Sequence, residues 1–152
     1  MEGTYRLGRV IDHVHLRVAD LDRSRTFYRA IASALSLEDA FEDGGDHFVM
    51  DELYFDLAED GKTSRVHLAF QALTHEAVRS FHEAALAAGG TDNGAPGLRE
   101  YHDRYYAAFV LDPDGNNIEA VSDAPVRRSA DAITVERIPL TDARFNTDDA
   151  GR

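Results

Sequence analysis

The chain has 152 residues, 43% hydrophobic and 29% charged, the size and balance of a globular domain that can bury a core. A formal charge of −12 argues against nucleic acid or an anionic membrane as partner, because both would repel the average surface. With no cysteine, disulfides, thiolate metal sites and a cysteine nucleophile are excluded, and no apolar run suits a signal peptide or a membrane span; a soluble, cytoplasmic protein is expected.

In chain order, the alternation of Val14, Leu16 and Val18 predicts a first strand. Asp20 then offers an N-cap to a helix that sets Phe27 and Ile31 on one face and ends near Leu35. Two short strands follow, at 47–50 and 53–57. Next, the chain repeats itself. Residues 65–84 lie over 11–30 without a gap at an offset of 67 − 13 = 54, which pairs His13 with His67, Arg25 with Arg79, Phe27 with Phe81 and Ala30 with Ala84. Thr74 takes the N-cap place of Asp20, and Val78, Phe81 and Leu86 form the apolar face of a second helix that Gly89-Gly90 can stop. Strands are predicted at 106–111 and 117–121, joined by the tight turn Asp112-Pro113-Asp114-Gly115. Placing the final strands together sets Glu119 on Asp56, an offset of 119 − 56 = 63, so the second copy is nine residues longer.

The expected fold is therefore α+β: tandem βαβββ modules at 9–58 and 64–122, forming a curved mixed sheet with helices on the convex face. Residues 123–152 are left as an arm or tail, with the apolar stretch ITVERIPL suited to docking. Side chains alternate between faces along a strand, so the apolar sets should meet the helices and the polar sets should face the concave side. On that parity His13, His15, Arg17, Tyr54, Asp56, His67, Asn117 and Glu119 share one cleft. Two imidazoles with one or two carboxylates are the ligands of a divalent first-row ion with open positions: Fe, Mn, Ni, Co or Zn.

Three stretches carry a family resemblance: DHVHLRVADLDRSRTFY, with His13, Asp20-Leu21 and Phe27-Tyr28; VHLAF, with His67; and DPDGNNIEAV, with Glu119. Together they resemble the vicinal-oxygen-chelate superfamily of glyoxalases, bleomycin resistance proteins and extradiol dioxygenases, over roughly residues 9–122. The resemblance implies metal ligation by His13, His67 and Glu119. It also implies a homodimer whose sites can draw ligands from both chains. Glyoxalase I-like members carry Glu where this chain has the shorter Asp56, which makes Asp56 a candidate fourth ligand or base. The activity implied is that of a metal-dependent lyase, isomerase or dioxygenase on a substrate that chelates through vicinal oxygens. The alternative is a non-catalytic protein of the same fold that sequesters an antibiotic or metabolite.

The segment 93–106 reads as a long loop, either a packed surface loop or a lid hinged at Gly94 and Gly97. As a lid, it offers His102 as acid or base and Tyr105 or Tyr106 as donors to a substrate oxygen. Arg17, Arg65 and Arg99 are surface charges or contacts for an anionic substrate.

Overall fold

The computed structural model describes residues 10–130 with 132 and 133. The C-terminal stretch from 134 onward lies outside the described residues, and with it nearly all of the ITVERIPL segment. The first module is β1 (Val14–Val18), α1 (Leu21–Ala34), a 3₁₀ turn (Glu38–Ala40), β2 (Phe41–Asp43), β3 (His47–Met50) and β4 (Leu53–Leu57). The second is β5 (His67–Gln71), α2 (His75–Ala87), β6 (Thr91–Leu98), β7 (Tyr106–Leu111) and β8 (Asn117–Ser122). Each module closes its own four-stranded mixed sheet, in the orders β1-β4-β3-β2 and β5-β8-β7-β6. In both, the first strand runs parallel to the last and the remaining pairs are antiparallel. This is the duplicated βαβββ unit.

Both helices begin where the repeat places a capping side chain. Asp20 accepts from Arg23 N at 3.0 Å, and Thr74 accepts from Ala77 N at 3.1 Å. Each satisfies an amide that the first turn leaves without a partner. Helix α1 is capped at Leu35, and α2 at Ala88 ahead of Gly89, whose φ of +95° is the left-handed conformation expected of a glycine stop. Gly90 is needed for another reason. A Cβ there would stand 2.5 Å from the Val110 side chain and 2.8 Å from Phe27, so its absence lets the modules close on each other.

Buried side chains of both modules form one cluster that includes Leu16, Phe27, Ile31, Phe48, Phe55, Val78, Phe81, Ile118 and Ala120. Burying each of the large ones stabilises the fold by roughly 1.5–3 kcal/mol. On α2 the buried face is Val78, Phe81 and Ala85, whereas Leu86 is 37% exposed, contrary to its expected place in the core. From Phe81 to Leu86 is five residues, a step that carries a helical side chain off the buried stripe, whereas four keeps it on. Among the described residues no helix is long and apolar enough to cross a membrane.

One expectation is overturned. The first six residues of the segment read as a loop at 93–106 belong to strand β6, which pairs antiparallel with β7 through register shifts between Asp92 and Gly97. Its sequence, TDNGAPGL, has the composition of a loop. It is tolerated because β6 is the edge of its sheet, where a proline and irregular pairing leave no central ladder broken. Only 99–105 connects it to β7.

The turn between β7 and β8 is organised by Asp112, which is 4% exposed. Its Oδ1 accepts from Asp114 N at 2.9 Å and Asn116 N at 2.8 Å, while Oδ2 accepts from Asn116 Nδ2 at 2.9 Å and from the Tyr28 hydroxyl at 2.8 Å. Tyr28 stands on α1, so this bond ties the first module to the turn that launches β8. Burial, then the charge and hydrogen bond of Asp112, push the Tyr28 hydroxyl well above the ordinary tyrosine range.

Two outcomes follow. Thr74→Ala should lower stability by about 1 kcal/mol in urea unfolding, while Thr74→Asp, which can cap α2 equally, should leave the midpoint nearly unchanged. Because the Tyr28 pKa is raised on folding, its contribution is complete below the unfolded value near 10 and lost as pH climbs through the folded value. Unfolding free energy should therefore fall above about pH 10. Tyr28→Phe should cost roughly 1–2 kcal/mol at neutral pH and flatten that alkaline decline. An equally steep decline in the variant would assign it to other groups.

Candidate functional site

On the second sheet, β5 and β8 run parallel with His67 opposite Asn117 and Ala69 opposite Glu119. Phe109 of β7 pairs with Glu119 from the other side. These residues share the face turned away from α2, while Leu68, Phe70, Ile118 and Ala120 turn toward the core. The alternation read from the sequence holds on these strands.

His67 Nε2 and Glu119 Oε2 are 2.8 Å apart. The two differ sharply in exposure: the Glu119 side chain is 2% accessible and that of His67 54%. The second carboxylate oxygen, Oε1, accepts from the Tyr105 hydroxyl at 2.6 Å. Burial, and then the hydrogen bond and charge of Glu119, hold that hydroxyl well above the usual tyrosine range, so it remains a donor at neutral pH. Tyr105 is braced by edge contacts with Tyr101, at 4.9 Å between ring centroids, and His102, at 5.2 Å. The His102 ring in turn lies 3.4 Å from Asp123 Oδ1. Phe109 stands 6.1 Å from the His67 ring, and Asn117 accepts from Asn93 Nδ2 at 3.0 Å.

His13 lies just ahead of β1 in the other module. Its side chain is 69% exposed, with Nδ1 2.7 Å from Asp12 Oδ1. It borders an open hollow of about 370 Å³ together with His15, Val49, Glu52 and Tyr54. Among the described residues of one chain, no group of three His, Asp or Glu side chains could share a cation. His67 and Glu119 come together; His13 does not join them.

The register also revises the internal alignment. Val14 lies opposite Leu53 in the first module and Leu68 opposite Ile118 in the second, an offset for the last strand of 118 − 53 = 65. Glu119 therefore corresponds to Tyr54 and not to Asp56, which lies one same-face step further along β4. The discrepancy arises in the turns. Two residues link β3 to β4, with Asp51 at φ +53°, whereas five link β7 to β8, so a gap-free match of Asp51 with Asp114 shifts the strand that follows.

Asp56 instead faces Arg17 and His47 in the sheet. His15 Nε2 comes within 2.9 Å of Asp56 Oδ1, yet the contact lacks hydrogen-bond alignment and leaves that oxygen without a donor, so it acts as a charge contact when the imidazole is protonated. Tyr54 is flanked by His15, edge-on at 5.1 Å, and by His47, stacked at 5.0 Å. Arg17 and Arg65 are exposed. Tyr106 lies on the opposite face from Glu119, stacked on His75 at 4.0 Å with its hydroxyl taken by Arg79 at 3.3 Å, so it faces α2 and not the cleft. Arg99 lies over the Phe109 ring at 5.3 Å. Sequence reading did not single out Phe109 or the bond from Tyr105 to Glu119. Phe109 could have been found by continuing the face alternation into β7.

The comparisons agree with this architecture. The family model described as the glyoxalase/bleomycin resistance protein/dioxygenase superfamily matches residues 10–120. A glyoxalase/bleomycin resistance protein from Albidiferax ferrireducens T118 is 30% identical, with a TM-score of 0.61 over 74% of this chain and 97% of that one. Two more distant structures share the fold. A glyoxalase/bleomycin resistance protein/dioxygenase family enzyme from Burkholderia phytofirmans PsJN is 24% identical, with a TM-score of 0.55 over 73% of this chain and 96% of the other. The oxidase ChaP-H1 is 23% identical, with a TM-score of 0.57 over 76% and 96%. No curated protein matches the chain. The duplicated βαβββ fold, the match across both modules and the likeness to these structures together establish that the chain belongs to the glyoxalase/bleomycin resistance protein/dioxygenase superfamily.

Proposed function

We propose that this chain is a metal-dependent enzyme of the glyoxalase or dioxygenase type, acting on a small substrate that chelates the metal through vicinal oxygens. His67 and Glu119 of one chain and His13 of a second copy would hold the ion. The observation that carries this reading is the 2.8 Å approach of His67 Nε2 to Glu119 Oε2. That is the spacing of two donors on adjacent positions of one small cation, and the chemistry of the pair suits a divalent first-row ion.

The third ligand is the exposed imidazole of His13, the counterpart of His67 in the repeat; among the described residues of its own chain it belongs to no group of three side chains that could hold an ion. A two-fold dimer sets the first module of one chain against the second module of the other and so supplies the missing donor twice. A divalent ion bound there supplies Lewis-acid polarisation or redox chemistry. The protein's part is to leave coordination positions open. Glu119 Oε1 is held by Tyr105, so the carboxylate offers one oxygen, and Tyr54 stands where a second carboxylate would be. Asp56, beside His15 and behind that position, serves as a base or charge partner and not as a ligand.

One feature favours a second reading. The His47–Tyr54 stack, 5.0 Å apart with ring planes 18° from parallel, forms a wall suited to a planar molecule held without chemistry.

Metal analysis separates the two. Protein purified without chelator should hold about one divalent ion per chain, and His13→Ala, His67→Ala and Glu119→Gln should each abolish it. Co-refolding His13→Ala with His67→Ala should restore metal to about a quarter of the wild-type sites, because half of a random mixture is hybrid and one of a hybrid's two sites is intact. Wild-type protein that stays metal-free after loading with Fe(II), Mn(II), Co(II), Ni(II) or Zn(II) would remove the enzymatic reading. A mixture that recovers nothing would place the site within one chain.

A further inference from the structure

Arg99, at the end of the edge strand of the second sheet, has a seat built for its guanidinium. The group lies over the Phe109 ring at 5.3 Å and is fixed by donation from Nη2 to the Ala95 carbonyl at 2.6 Å. Two glycines of β6 clear the space. A Cβ at Gly94, which adopts φ +153°, would stand 3.0 Å from the Phe109 ring and 3.5 Å from Arg99 Nη2; a Cβ at Gly97 would stand 3.2 Å from Nη1. A side chain at Gly94 would press on the Phe109 ring, and one at Gly97 would push on the guanidinium itself.

The seat positions a cation but does not neutralise it. Among the described residues Arg99 makes no ion pair with a carboxylate, although acidic side chains outnumber basic ones by 28 to 16 in this chain. A guanidinium has more donors than two backbone carbonyls occupy. By contrast, Arg25, Arg29 and Arg79 each meet a carboxylate.

The seat also belongs to the face described above. Gly94 pairs with Phe109, and Phe109 with Glu119, so Arg99 stands on the same row of the sheet as the carboxylate. One to two strand spacings separate them, roughly 5–10 Å.

We propose that Arg99 is an anion subsite, and that the substrate carries an oxyanion group such as a carboxylate, phosphate or phosphonate, set roughly 5–10 Å from its chelating oxygens. Planar bidentate recognition of that group is what a pre-oriented guanidinium provides. The inference rests on the chelate reading of the His67–Glu119 site.

The test uses the Co(II)-loaded protein and a pair of catechols: 3-(3,4-dihydroxyphenyl)propanoate and its neutral amide. Both present the same chelating oxygens, and chelation is read from the Co(II) absorption spectrum. The acid should bind wild type about ten-fold more tightly than the amide. Arg99→Gln should erase that preference while leaving metal content and amide affinity unchanged. Equal binding of acid and amide by wild type, or a preference that survives in Arg99→Gln, overturns the subsite and leaves the chelate reading intact. A variant that dissociates the dimer overturns it too, by assigning Arg99 to a subunit contact. If neither catechol perturbs the Co(II) spectrum of wild type, the chelate reading itself fails and the subsite falls with it.

Discussion

A carboxyl group that is 2% exposed must find partners within the protein, and the placement of Glu119 is the constraint on which this site depends. Its two oxygens are divided between a hydroxyl from the loop after β6 and an imidazole from the neighbouring strand. The first partner is partly buried beside it, whereas the second is half exposed. One oxygen is therefore committed to the structure, and the other meets the nitrogen of a half-exposed imidazole. Division of a carboxylate in this way lets one oxygen anchor the loop after β6 while the other faces the histidine of the neighbouring strand.

The parallel pairing of β5 with β8 makes that arrangement possible. Residues 52 apart in the chain become lateral neighbours because the first and last strands of the module lie side by side. The position of β8 is in turn set by the turn before it, where buried Asp112 accepts four hydrogen bonds, one of them from Tyr28 on the helix of the other module. The site in the second module is thus held from the first. Asp114 adds a second tie across the modules, accepting from Ala19 N.

Duplication did not preserve the chemistry of both halves. The first module keeps a histidine at the head of its opening strand but has Tyr54 where the second has Glu119. Around Tyr54 it gathers rings, His15 and His47, where the second module has a buried carboxylate. The two open faces therefore differ in kind: one sets a half-exposed imidazole against a buried carboxylate, while the other offers aromatic surface with the exposed imidazoles of His13 and His15. A dimer that brings opposite modules together would combine the two kinds of surface at each site.

The sequence by itself determined the duplicated unit, both helix caps, the main strands, the core face of α1 and the family. Each of these is written in local periodicity, in capping chemistry or in a repeat with no gap. It also marked His67 and Glu119, because strand parity fixes which face a side chain takes. Only the tertiary structure decided the rest. Strand β6 was hidden by a composition that an edge position tolerates and a central one would not. The true counterpart of Glu119 depended on turn lengths, which change register without disturbing the alternation on either side. The bond from Tyr105 to Glu119 and the seat of Arg99 over Phe109 required knowing which strands are neighbours. Lateral order in a sheet is set by packing across the whole core, and no local pattern in the chain records it.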